Sequence, residues 1–207
     1  MKSRVDETAV HRQTSVVITR SDSLRISQQA HRDSLLRANE AVIRRIRDTV
    51  SSVAPDTMTR RPSSGGWSIA EVLEHLIISA DSYLDLVRRS IRENTGARAD
   101  ATATWKPSIM GGMLTESLRN PRKLPAPGMY KPGPTPRAGA LNEFLRRQEE
   151  VGRLIVDAGA LDWRRVRMRS PVLPIIRMNL GDALTIPVVH AERHAAQIER
   201  VVEASGE

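Results

Sequence analysis

Apolar residues recur along this chain with the 3.6-residue period of a helix in four long stretches, and nowhere alternate convincingly as in a strand. From about Ser27 to Val50, the positions Leu35, Val42, Ile43, Ile46 and Val50 fall on one side, with Asn39 on the same stripe, either as a core hydrogen-bonder, the favoured reading, or looking into a site. His31, near the entry of this helix, and His11, upstream of it, read as surface residues. A connection from Val53 to Arg61 follows, punctuated by Pro55 and Pro62. The best-marked helix start comes next, in Gly65-Gly66-Trp67-Ser68-Ile69-Ala70-Glu71-Val72. Ser68 and Glu71 have the spacing of a capping box, and Trp67 with Val72 that of a hydrophobic staple. The spacing predicts a helix from Ile69 to about Glu93 that buries Val72, Leu73, Leu76, Tyr83, Leu84 and Val87, with His75 at the border of that stripe.

The second half is more broken. Residues 94–135 hold Pro107, Pro121, Pro125, Pro127, Pro132 and Pro134, and read as a long connection with a short helix around Gly112 to Leu118. Met110, Met113, Met129 and Tyr130 lie in it, available either to wall a pocket or simply to pack. Thr135-Pro136 looks like an N-cap followed by Pro at the first helical position, opening a third helix to Ala158 that buries Leu141, Phe144, Leu145, Val151 and Ile155. Leu161 to Met178, with Pro171 and Pro174, reads as irregular. A last helix starts at Asn179, with Asp182 in its first turn, and runs to about Ala204, burying Leu184, Val188, Ala191, Ala195, Ile198 and Val202. Pro187 removes a backbone donor and is expected to bend it one turn before His190. The predicted fold is all-α: a four-helix bundle with a long crossover between the second and third helices. Residues 1–26 form a polar, flexible N-terminal arm, and 27–207 the bundle domain.

Composition narrows the function classes. The 207 residues suit one domain with a sizeable core. With no cysteine there is neither a disulfide nor a protein thiol, which fits a reducing cytoplasm, and any thiol chemistry needs a thiol from outside. No apolar run approaches a membrane span, and Val16-Val17-Ile18 is too short for a signal-peptide core. A net charge of +8 raises nucleic acid or an acidic membrane as partners. The arginines, however, are dispersed along every segment, and aromatic residues make up only 3%, which leaves few stacking platforms. Neither nucleic acid nor membrane is expected as a partner.

The candidate chemistry centres on His190-Ala191-Glu192-Arg193-His194. Residues four apart on a helix share a face, with Cβ atoms about 5–6 Å apart, so two imidazoles can converge on one ion. The metalloprotease patterns are absent, because Ala191 and Arg193 stand where they need Glu. Glu192 points away from both histidines and reads as a solvated charge. In a bundle, His75 on the second helix can face this pair from across the core.

These residues resemble the DinB / YfiT-like superfamily of small bacterial metalloproteins. The resemblance rests on Gly66-Trp67-Ser68-Ile69-Ala70-Glu71-Val72-Leu73-Glu74-His75-Leu76, then Leu180-Gly181-Asp182-Ala183-Leu184, then His190 to Ile198, and covers residues 30 to 204. It implies that His75, His190 and His194 bind one divalent metal ion, commonly zinc or nickel, with Gln197 as a supporting partner. It also implies a homodimer. Family members with known activity include transferases that use a low-molecular-weight thiol as cosubstrate. Three neutral imidazoles leave a coordination position open, where a water or an external thiolate is activated. The expected function is therefore metal-dependent transfer of a small thiol to an electrophilic small-molecule substrate. The alternatives are a metal-dependent hydrolase and a non-catalytic metal-binding or structural dimer. Glu71, Glu74, Asp81 and Tyr83 are near in sequence, and none is singled out as a general base.

Overall fold

A computed structural model describes residues 26–120 and 125–205; the predicted polar arm, with His11, lies outside them except for Ile26. In chain order the elements are β1 (Ile26–Ser27), α1 (Gln28–Ser51), α2 (Pro55–Thr59), α3 (Ile69–Glu93), β2 (Thr104–Trp105), α4 (Ile109–Arg119), α5 (Ala140–Asp157), β3 (Arg167–Arg169), β4 (Arg177–Asn179) and α6 (Leu180–Glu203).

The helices α1, α3, α5 and α6 make the predicted four-helix bundle. Each of α1 and α3 packs against both α5 and α6. Ion pairs reveal the directions. Along α3 and into α5, Glu74 meets Arg137, Asp81 meets Arg147 and Arg88 meets Glu150, so the two helices run parallel. Parallel neighbours need a long return, and the Pro-rich segment 94–139 supplies it. His31 meets Thr185 and Arg45 meets Glu199, so α1 and α6 are also parallel. Two apolar clusters fill the interior. Phe144, Ile69, Leu73, Ile46 and Ile198 anchor one, and Trp163, Ile155, Met178 and Leu184 the other. Asn39 lies in the core and donates from Nδ2 to the Gln148 carbonyl at 2.9 Å.

Several local expectations are corrected. The third helix begins at Ala140 rather than at Thr135-Pro136, because Gly139 takes a left-handed φ of 70° that breaks the helical path. Arg137, just before it, is drawn to the carboxylate of Glu74. The connection 53–61 contains the short α2, with Pro55 at its start. The segment expected to be irregular forms an antiparallel ribbon, with Arg167 opposite Asn179, Met168 opposite Met178 and Arg169 opposite Arg177. Three residues per strand are too few for a period-2 signal to register. Helix α6 continues through Pro187 from a capping box formed by Asn179 and Asp182.

His31 is not a simple surface residue. Its ring stacks on Trp105 at 3.9 Å, meets Trp163 edge-on, and places Nε2 3.0 Å from Thr185 Oγ1. Burial, helped by the charge of Arg119, lowers its pKa to about 4. Above the unfolded value of 6.5 both states are neutral and this group adds no pH dependence. Between 6.5 and about 4 the unfolded chain binds a proton that the folded one lacks, so stability falls with acid. Unfolding in urea at several pH values through this window should show a shallower acid loss for His31→Phe than for the parent chain.

Candidate metal centre

The helix starts position the three histidines. At the head of α3, Glu71 N–H donates to Ser68 Oγ at 3.3 Å and Ser68 N–H to Glu71 Oε2 at 2.8 Å, which settles where the helix begins. At the head of α6, Asp182 N–H donates to Asn179 Oδ1 and Asn179 N–H to Asp182 Oδ2, both at 2.9 Å. From these antiparallel helices His75 meets His190 and His194. The Nε2 of His190 lies 3.1 Å from Nε2 of His75 and 3.1 Å from Nε2 of His194. His75 and His194 are buried and His190 is half-buried.

The other ring nitrogens are all engaged. His75 Nδ1 lies 2.7 Å from the Tyr130 carbonyl, which only accepts, so this nitrogen carries the proton. His194 Nδ1 lies 2.8 Å from Gln197 Oε1, with the same consequence. Ser79 donates its hydroxyl to the His75 carbonyl at 2.8 Å, so its oxygen is left to accept from His190 Nδ1 at 3.3 Å. This network assigns the Nδ1–H tautomer to all three rings and leaves three Nε2 lone pairs facing one another.

Lone pairs at such distances repel unless a cation lies between them. A proton is a poor candidate. Burial lowers all three pKa values, with added repulsion from neighbouring histidines at His190 and His194; His190 is pushed well down and His194 to about 3. A divalent ion fits better. Two nitrogens each about 2.05 Å from a tetrahedral ion lie about 3.3 Å apart, close to the two 3.1 Å spacings about His190, and the ligand atoms of all three residues lie within 4.8 Å of one another. Neutral imidazoles anchored through Nδ1–H are the form that ligates zinc-like ions.

Other sequence expectations fare unevenly. Gln197 stands where it supports His194. Gln197→Leu should weaken metal affinity by about 10- to 100-fold with the fold intact, measured by chelator competition and circular dichroism. Glu192 is half-buried rather than solvated, and burial raises its pKa against the pull of Arg119 and Arg45. Each acid considered as a base is held by an arginine: Glu71 by Arg61, Glu74 by Arg137, Asp81 by Arg147. Burial alone would raise the Glu71 pKa, but hydrogen bonds from Arg61 and Ser68 bring it below its ordinary value. Burial pushes the Tyr83 hydroxyl up. Met110, Met113 and Met129 stand exposed, whereas Tyr130 is buried. Sequence reasoning missed the Tyr130 carbonyl and Ser79. A backbone carbonyl has no residue signature, and a serine one turn beyond a histidine is too common to single out.

A helical bundle holding three convergent histidines on two antiparallel helices defines a class of metal-site protein. The chain belongs to the DinB superfamily, whose family model matches residues 38–198. No curated protein and no solved structure matches it. The histidine set fits a metal-binding protein of this family. Among the described residues, no helix is long and apolar enough to cross a membrane.

Proposed function

We propose that the chain binds one divalent metal ion, zinc or nickel, through Nε2 of His75, His190 and His194, and that it transfers a low-molecular-weight thiol to an electrophilic small molecule. The observation that carries the metal reading is the convergence of three neutral imidazole nitrogens whose Nδ1–H groups are all engaged elsewhere. A divalent ion held by three nitrogens keeps a position open and lowers the pKa of a thiol or water there. The protein's own contribution is orientation. Tyr130, Ser79 and Gln197 fix the ring planes, and burial keeps the imidazoles neutral so that protons do not compete for the lone pairs.

The absence of cysteine makes the sulfur external, and the resemblance to family members that use a low-molecular-weight thiol favours a thiol over water. In the transfer, the sulfur lone pair forms a C–S bond while a C–O bond of an epoxide, or the C=C π bond of a maleate ester, breaks; the oxygen or carbon that keeps that bonding pair takes up the thiol proton, directly or through solvent. The test is elemental analysis of protein purified without a His tag, followed by thiol consumption with an epoxide or maleate ester as electrophile. Near one ion per chain and metal-dependent consumption, lost in His194→Ala, is the expected result. One ion per chain with no consumption above the metal-free protein would leave a non-catalytic metal-binding bundle. Ester hydrolysis without a thiol would make the enzyme a hydrolase.

A further inference from the structure

The β3–β4 ribbon concentrates charge in a way that its own fold does not explain. Because Arg169 lies directly opposite Arg177, their side chains share one face, and Arg167 shares it two residues along. All three are exposed, while Met168 and Met178 on the other face turn inward. Like charges directly opposite across a strand pair destabilise it. Arg167 feels the buried carboxylate of Asp182, but Arg169 and Arg177 form no ion pair with any carboxylate of the described residues. Lys106, also exposed, borders the ribbon: its backbone carbonyl accepts from Nδ2 of Asn179, Arg167's cross-strand partner, at 3.1 Å.

The tip of the ribbon is aliphatic. Leu173 is 53% exposed and Ile175 is 83% exposed, with Pro174 between them. Ile109, 84% exposed, follows Ser108, whose hydroxyl donates to the Arg177 carbonyl at 3.3 Å. The tip is built rather than loose. Ser170 N–H donates to the Ile176 carbonyl at 2.9 Å, Ile176 N–H to the Leu173 carbonyl at 2.8 Å, and Ser170 Oγ accepts from Val172 N–H. Arg169 Nη1 donates to the Pro174 carbonyl at 3.2 Å, which brings its guanidinium up to the tip.

We propose that this ribbon docks the protein on an anionic phospholipid surface, with Leu173, Ile175 and Ile109 entering the headgroup layer and Arg167, Arg169, Arg177 and Lys106 meeting lipid phosphates. Exposed aliphatic residues set among basic ones are the composition that interfacial binding uses. Nucleic acid would use the same arginines but has no use for an aliphatic tip, and the ribbon carries no aromatic ring to stack on bases. This reverses the expectation of no membrane partner, which rested on arginines dispersed in sequence; the ribbon gathers them in space.

The test is cosedimentation of the full chain with vesicles of pure phosphatidylcholine and with vesicles containing about one third phosphatidylglycerol, over a range of salt. Binding to the anionic vesicles alone, weakened by salt, is the expected result. Arg169→Gln/Arg177→Gln should weaken it about 25-fold, at about fivefold per cation, and Leu173→Ser/Ile175→Ser at least about tenfold. Both variants should keep their helicity and metal content, since none of these side chains is buried. No binding to anionic vesicles at low salt overturns the proposal, as does binding that survives both double variants. Arginine-dependent binding to duplex DNA, without vesicle binding and unaffected by the tip variant, would reassign the surface to nucleic acid.

Discussion

His190→Ala is expected to abolish metal retention while leaving a folded bundle. Its Nε2 is the nitrogen that lies 3.1 Å from both of the others, so its loss leaves His75 and His194 without their common neighbour. If the site's binding energy is shared among its ligands, losing one of three weakens affinity by a factor on the order of 10³. In the metal-free state the same substitution removes one of three mutually repelling lone pairs, so the metal-free fold should not suffer by that account. The two effects separate in a thermal scan with and without chelator. The parent chain should lose stability when its metal is removed, because a ligand that binds only the native state stabilises it. The variant should be indifferent to chelator. An alanine variant that still carries one ion per chain, and still responds to chelator, would show that the metal is held elsewhere.

Gly181→Ala should be among the most destabilising single-methyl additions in the chain. A Cβ at Gly181 would lie 2.0 Å from Trp105 Nε1 and 2.6 Å from Cδ1 and Cε2 of the same indole. Trp105 cannot easily retreat. It is buried, stacks on His31, and donates from Nε1 to Asn179 Oδ1 at 3.0 Å. That same oxygen caps α6 by accepting from Asp182 N–H. Displacing the indole therefore costs packing, a buried hydrogen bond and part of the cap of the helix that carries His190 and His194. The expected loss is about 3 kcal/mol, or roughly 6–12 °C in Tm for a chain of this size. Gly96→Ala is the control, since nothing stands within 4 Å of its new methyl and the change should stay within about 0.5 kcal/mol. Equal stability of the two variants in denaturant would show that the indole moves aside freely.

The helices were legible because their signals are local. Ser68 and Glu71 in sequence are Ser68 and Glu71 in the capping box, and α3 runs from Ile69 to Glu93 as its periodicity predicts. Helix α5 failed at its start because Thr135-Pro136 carries an equally good local signal. The decision against it came from Gly139 and from the pull of Glu74 on Arg137, a residue 63 positions away. His31 gives no local sign of its burial for a similar reason: nothing near it in sequence announces Trp105, Trp163 or Thr185.

The sequence by itself determined four amphipathic helices, a crossover long enough to join two parallel ones, and three histidines on helices that a bundle can bring face to face. Period and capping depend on neighbours within a turn or two, and the i, i+4 spacing of His190 and His194 is of that kind. Only the tertiary structure decided that His75 arrives 3.1 Å from His190, that the Tyr130 carbonyl and Ser79 select the tautomer leaving Nε2 inward, and that Arg169 stands opposite Arg177. Those outcomes depend on how distant segments pack and on backbone groups that every residue carries, which no reading of residue types along the chain can distinguish.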